Sequence, residues 1–330
     1  MEVGPTQLSS VRKGAIRPLQ SGQCFDYAKL DVRIASIRQR TRPAGGMPVH
    51  GAIRMKVDIN EERLPNPAIE QRVEDLLHQM TLTEKVGQTV LEVDLGPEAE
   101  ERIRQGKIGA VMGDEPKLNN RLQRAAVEGS RLHIPLLVAA DVIHGYRTIF
   151  PIPLAEACTW NPELVEHASS AAAAEAAAMG VNWIFAPMVD ISRDPRWGRI
   201  AEGAGEDPFL GRALARARVS GFQDARLPAG RRVAACPKHF AAYGFGEAGR
   251  DYNTVDLSER TLRDVCLPPF QAAFEAGAQS TMSAFNEIGG VPCTCNPFLL
   301  KTVLRDEWDW PGVVISDFNA IAELISHGVA

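Results

Sequence analysis

Apolar runs of strand length alternate with helical patterns between Thr89 and Asp317, and that alternation restricts the chain to a parallel sheet wrapped in helices. The seven strand candidates are 89–93, 108–112, 135–141, 182–189, 233–239, 279–286 and 312–317. Helical patterns at 98–105, 117–132, 162–179, 208–224, 258–276 and 297–308 separate them. Ahead of the first strand, Ile69, Val73, Leu76, Leu77 and Met80 recur at helical spacing, and Thr81-Leu82-Thr83-Glu84 reads as a capped turn. This many units favour a closed barrel over an open sheet. The expected fold is α/β, a TIM-like (β/α)8 barrel that is incomplete here, with about seven β/α units. No eighth strand candidate follows, and the sequence stops inside the helix expected after the seventh.

The densest chemistry lies at 181–210, VNWIFAPMVDISRDPRWGRIAEGAGEDPFL. Asn182 to Val189 suits a strand buried on both faces. Asp190, Arg193, Asp194, Arg196, Arg199, Glu202, Glu206 and Asp207 then crowd a loop broken by Pro195, Gly198, Gly203 and Gly205. A buried strand that ends in such a loop supports many charges at one end of a sheet, where α/β proteins bind ligands. Trp197 and the mixture of acids with arginines point to a polar ligand rather than a plain solvated surface.

Of the 330 residues, 45% are hydrophobic and 23% charged, enough for a large core in one barrel or two smaller domains. The net charge of -5 and the lack of a basic stripe argue against nucleic acid as a partner. No apolar run approaches the roughly 18 residues that span a bilayer, so no membrane partner is expected. Cys24, Cys158, Cys236, Cys266, Cys293 and Cys295 match no zinc spacing and are read as reduced thiols. Cys158 and Cys236 sit among small or apolar residues, where a thiol acts as a small hydrophobe. Residues 1–54 are rich in Arg and Lys, lack hydrophobic periodicity and close on Pro43, Gly45, Gly46 and Pro48. They read as a disordered leader or as sequence upstream of a true start at Met55, and hold no apolar core of a signal peptide.

Polar residues gather where the strands finish, the barrel face that carries function. The third strand ends in Asp141, with His144 and Arg147 in the loop; the fourth ends in Asp190; the fifth in Lys238 and His239. The sixth ends in Ser283, Phe285 and Asn286, and the seventh in Ser316 and Asp317. Carboxylates that accept and cations that donate suit a neutral ligand bearing many hydroxyls. Phosphate-cradling glycine loops and metal-ligand spacings are absent, so neither metal nor cofactor is expected. Asp190 reads equally well as a helix cap, an arginine partner or a substrate contact. His144 reads equally well as a structural histidine, whereas Arg193, Asp194, Arg196 and Glu202 read as an ion-pair network that shapes their loop without touching a ligand.

LLVAADVIHGYRTIFP, APMVDISRDPRWGRIAEGAGEDPFLG, CPKHFAAYG, YNTVDLSERTLRD and GVVISDFNAI, in that order, resemble glycoside hydrolase family 3, nearest to its bacterial periplasmic β-glucosidase group. The resemblance covers roughly residues 65–330. It implies retaining, exo-acting hydrolysis of terminal β-glucosides through a covalent glycosyl-enzyme. It places Asp317 at the nucleophile, and Asp141, with Arg147 in the same loop, at the hydroxyls furthest from the reacting carbon. It makes Arg199, Lys238 and His239 hydrogen-bond donors to the sugar, and Met282 and Phe285 lining residues. Phe285 stands where a Tyr is frequent and Phe318 where a Trp is frequent.

A retaining glycosidase also needs a carboxyl to protonate the leaving oxygen. In the β-glucosidase group it comes from an α/β-sandwich domain after the barrel. Residues 55–330 therefore read as the family's N-terminal barrel without its last unit and without that second domain, which is the partner expected to complete the site. Single-domain β-N-acetylglucosaminidases of the family carry a His-Asp pair after the Lys-His motif, but AAYGFGEAGRDYNTVD contains no histidine. A catalytically impaired sugar-binding fragment, and a β-xylosidase or β-N-acetylglucosaminidase of the same family, remain as alternatives. The resemblance implies a periplasmic location.

Overall fold

The structure, a computed structural model, describes residues 67–224, 226–227 and 232–329. The expected leader at 1–54, the start at Met55 and Cys24 lie outside the described residues. Helices α1 (Pro67–Gln79) and α2 (Leu82–Gly87) come first, and Thr81 closes the expected capping box with Glu84. There follow β1 (Leu91–Glu92), α3 (Ala99–Arg104), β2 (Ala110–Met112), α4 (Pro116–Gly129), β3 (Leu137–Ala140), α5 (Pro153–Ala157), α6 (Pro162–Ala178) and β4 (Trp183–Ile184). The second half runs α7 (Pro208–Phe222), β5 (Ala234–Ala235), β6 (Lys238–Phe240), α8 (Glu259–Thr261), α9 (Pro268–Glu275) and β7 (Ser280–Ser283). A hairpin of β8 (Glu287–Ile288) and β9 (Val291–Pro292), a π-helical segment Phe298–Glu307, β10 (Val313–Ser316) and α10 (Ala320–Glu323) complete it.

The seven expected strands all form, parallel and in barrel order: β1-β2-β3-β4-β5, then β6-β7-β10. β5 and β6 are two halves of one expected strand, interrupted at Cys236-Pro237 because Pro237 has no N–H for the ladder. Met188 bridges to Lys238 and carries the pairing on from the fourth strand. Ala110, Ala139, Trp183, Phe185, Cys236 and Met282 form one buried cluster, with Ile315 packed against it. On β3 the flanking Val138 and Ala140 pack in two other clusters, as the period of two requires.

The helices pack closely because their contact faces are small. Ala172, Ala173 and Ala176 of α6 are buried. On α7, a Cβ at Gly221 would lie 2.3 Å from the Glu166 carbonyl oxygen, so only glycine permits this approach. Asn161 and Asp207 cap α6 and α7 by accepting from backbone N–H groups, each followed by a proline in the first turn. Arg218 of α7 pairs with Glu156 of α5, both buried, and donates to the Ile143 carbonyl, tying the loop after β3 to the helical layer. Among the described residues no helix is long and apolar enough to cross a membrane.

Candidate active site

The ends of β3, β4, β6 and β10 bring Asp141, Asp190, Lys238, His239 and Asp317 into one group. Lys238, almost fully buried, donates to Asp141 Oδ1 at 2.5 Å, while Asp141 remains half exposed at the rim. Burying an ammonium without a partner is costly, and Asp141 supplies that partner across 97 residues of chain. His239 points both ring nitrogens at carboxylates. Its Nδ1 lies 2.9 Å from Asp190 Oδ2, and its Nε2 lies 3.6 Å from Asp317 Oδ2.

Asp317 follows β10 directly, and its side chain is only 12% exposed. Its Oδ1 accepts from the Phe318 N–H at 2.7 Å, which fixes the carboxylate plane, while Oδ2 is buried with no hydrogen-bond partner. Burial pushes its pKa up to about 6, against the pull of the Phe318 N–H, Lys238 and Arg199. A carboxylate held on a strand end with one free buried oxygen is suited to attack rather than to structural pairing. Arg199 faces the same group, its guanidinium gripped by Glu202 at 2.7 and 3.0 Å. Burial works against its charge, but Glu202, Asp190 and their fields raise its pKa above that of a free arginine.

The loop after β4 is locked beneath these residues. Trp197 is buried, donates to Asp251 at 2.8 Å and meets Tyr243 edge-on, and Tyr243 meets the His239 ring edge-on at 5.1 Å. A Cβ at Gly244 would lie 2.4 Å from the Ile191 carbonyl, so glycine lets the loops after β4 and β6 touch. Phe285 is buried against Tyr243 and Tyr252, and Met282 lies in the cluster inside the sheet. Phe318 is 64% exposed, an aromatic face next to Asp317. Among the described residues no group of three metal-ligating side chains could hold an ion.

Two expectations are corrected. Arg147 is not brought to this group: Glu175 of α6 accepts from the backbone N–H of both Arg147 and Thr148, and the exposed Arg147 guanidinium reaches Met179 Sδ instead. Cys158 is exposed rather than packed, its thiol turned to the Leu154 carbonyl. The loop charges form separate pairs, Asp194 with Arg196 and Glu202 with Arg199, while Arg193 lies over Phe245. His144 is held by the Phe150 carbonyl, a structural contact. Asp190 neither caps a helix nor pairs with an arginine. It is fully buried on His239, a pairing that no sequence spacing could have disclosed.

The family model for the glycosyl hydrolase family 3 N-terminal domain matches residues 81–330. A periplasmic beta-glucosidase of Salmonella typhimurium is 44% identical over 265 residues, 78% of this chain and 34% of that protein. A putative beta-xylosidase of Formosa agariphila is 36% identical over 283 residues, 78% of this chain and 37% of the relative. A crystal structure of beta-glucosidase from Listeria innocua in complex with isofagomine superposes with a TM-score of 0.73 at 44% identity, covering 79% of this chain and 38% of that one. The chain thus spans about a third of the length of the curated relatives it matches. Fold, ordered motifs and family match agree, and the chain belongs to glycosyl hydrolase family 3 through its N-terminal domain.

Proposed function

We propose that this barrel is the sugar-binding and nucleophilic part of a retaining, exo-acting β-glucosidase. The observation that carries the reading is Asp317, a strand-end carboxylate with an unpartnered buried oxygen, faced by Lys238, His239 and Arg199. Asp317 attacks the anomeric carbon from the α face, and the leaving group departs as the glycosyl ester forms. Water then cleaves the ester and returns the β configuration. Asp141 accepts from sugar hydroxyls at the rim while Lys238 and Arg199 donate to others. Phe318 and Phe285 contribute apolar wall, and Met282 the floor.

The proton for the leaving oxygen comes from none of these acids. Asp141 is engaged by Lys238, Glu202 by Arg199, and Asp190 lies fully buried on the far side of His239. We assign the acid/base to a carboxyl outside the described barrel and take residues 55–330 as the barrel domain. Glucosides whose leaving groups need no proton then react with the chain as given, while alkyl glucosides lag by the roughly 10²–10⁴-fold that general acid catalysis contributes. The likeness to the Salmonella typhimurium protein supports a periplasmic location.

The test is azide rescue of Asp317→Gly with dinitrophenyl β-glucoside. Rescue that yields α-glucosyl azide supports the reading, because azide then occupies the vacated nucleophile position. A β-glucosyl azide would make Asp317 the acid instead, and the reading would fail.

A further inference from the structure

Asp190 is the most deeply buried acid of the site and has no role in the chemistry above. Its Oδ2 accepts the backbone N–H of His239 at 2.8 Å and lies 2.9 Å from His239 Nδ1. One oxygen thus fixes both the main chain and the ring of a single residue. Arg199 and Lys238 and the backbone N–H of Tyr243 all favour the ionised carboxylate, although burial draws its pKa up to about 7. When Asp190 is ionised, Oδ2 can only accept, so it takes both the backbone N–H and the ring N–H, with the ring proton on Nδ1. Burial, Lys238 and Arg199 hold the imidazole neutral, its pKa well below the usual value. A neutral ring has one N–H, so Nε2 carries a lone pair. The 3.6 Å between Nε2 and Asp317 Oδ2 exceeds a hydrogen bond, and Oδ2 has no other partner, as two facing acceptors require.

We propose that Asp190 is a positioning residue that holds His239 as the Nδ1–H tautomer, so that Nε2 presents an acceptor, not a donor, beside the nucleophile. This revises the expectation that His239 donates to the sugar. Nε2 and Asp317 Oδ2 together form a slot for an O–H donor, which selects a ligand with a hydroxyl there over one with fluorine, an acceptor only, or hydrogen. The consequence for substrate rests on the β-glucosidase reading. The tautomer itself does not.

The experiment uses the full chain labelled with ¹⁵N-histidine and long-range ¹H–¹⁵N correlation at pH 7.5, which reads each ring nitrogen without turnover. The expected spectrum shows His239, identified by its loss in His239→Gln, protonated at Nδ1 and bare at Nε2. Protonation at Nε2 alone, or at both nitrogens, overturns the proposal. In Asp190→Ala the ring nitrogens move towards averaged shifts as the tautomers exchange. Asp190→Asn, whose carbonyl oxygen can replace Oδ2, keeps the wild-type pattern. A His239 spectrum unchanged in a folded Asp190→Ala chain also overturns it. With dinitrophenyl β-glucoside, which keeps every ring hydroxyl, Asp190→Ala should lower the rate of dinitrophenol release by roughly 10-fold or more, the size of losing one charge-assisted hydrogen bond, and Asp190→Asn should restore most of it. Failure of wild-type turnover would count against the β-glucosidase reading and leave the tautomer result standing.

Discussion

Replacing Asp317 by Asn should make the protein more stable while removing the proposed nucleophile, and the gain should depend on pH. The wild-type carboxyl has its pKa raised from 3.8 to about 6, chiefly by burial. A raised acid pKa means that the folded state favours the protonated group. The associated stability is fully present below the unfolded value and is lost as pH climbs through the folded one. Between about pH 4 and 6 the wild type therefore loses roughly two pKa units of free energy from this group, about 3 kcal/mol. Asn does not titrate, and its carbonyl oxygen can still accept the Phe318 N–H. Urea unfolding at pH 4 and at pH 8 measures the effect. The stability difference, Asp317→Asn minus wild type, should rise by roughly 2 kcal/mol between the two pH values, since part of the change already lies below pH 4. A difference that stays flat, or falls, would refute the claim that an ionised carboxylate is held here against its hydration.

Other perturbations have definite expectations. Glu156→Gln leaves Arg218 buried without its carboxylate and should cost about 3–5 kcal/mol in urea unfolding, whereas an effect below about 1 kcal/mol would contradict the pairing. Gly221→Ala forces its Cβ onto the Glu166 carbonyl and should cost roughly 1–3 kcal/mol, read as a lowered thermal midpoint. Glu202→Gln frees the Arg199 guanidinium, and glucose titration calorimetry should show weaker binding by roughly 10-fold, while Arg147→Ala, away from the cluster, should change it by less than about twofold. Trp197→Phe loses the bond to Asp251 and should destabilise the loop by about 1 kcal/mol, seen as faster amide exchange across 197–205.

The sequence made the strand order and the strand-end chemistry legible because both follow from local patterns. Apolar runs at regular spacing predict each strand, and Asp141, Lys238, His239 and Asp317 stand at their ends. What escaped depends on contacts between distant segments. Asp190 and His239 are 49 residues apart, and nothing in either neighbourhood marks them as a pair. Arg147 shares a loop with Asp141, but Glu175 of α6 fixes the backbone of that loop and leaves the guanidinium elsewhere. Cys158 has apolar neighbours in sequence, yet it follows the short helix α5 on an exposed side. The hairpin β8–β9 has a local signal in Gly289-Gly290, both at positive φ, but its strands are two residues each and too short to show an apolar run.

In the proposed reaction Asp317 forms the covalent bond to sugar. The direct measurement is peptide-level mass analysis of the chain after incubation with 2-deoxy-2-fluoro β-glucosyl fluoride, whose leaving group needs little protonation and whose ester turns over slowly. One fluoroglucosyl adduct is expected, on the peptide containing Asp317, absent in Asp317→Asn. An adduct on Asp141, Glu202 or another carboxylate, or no adduct on a folded chain that binds glucose, would contradict it.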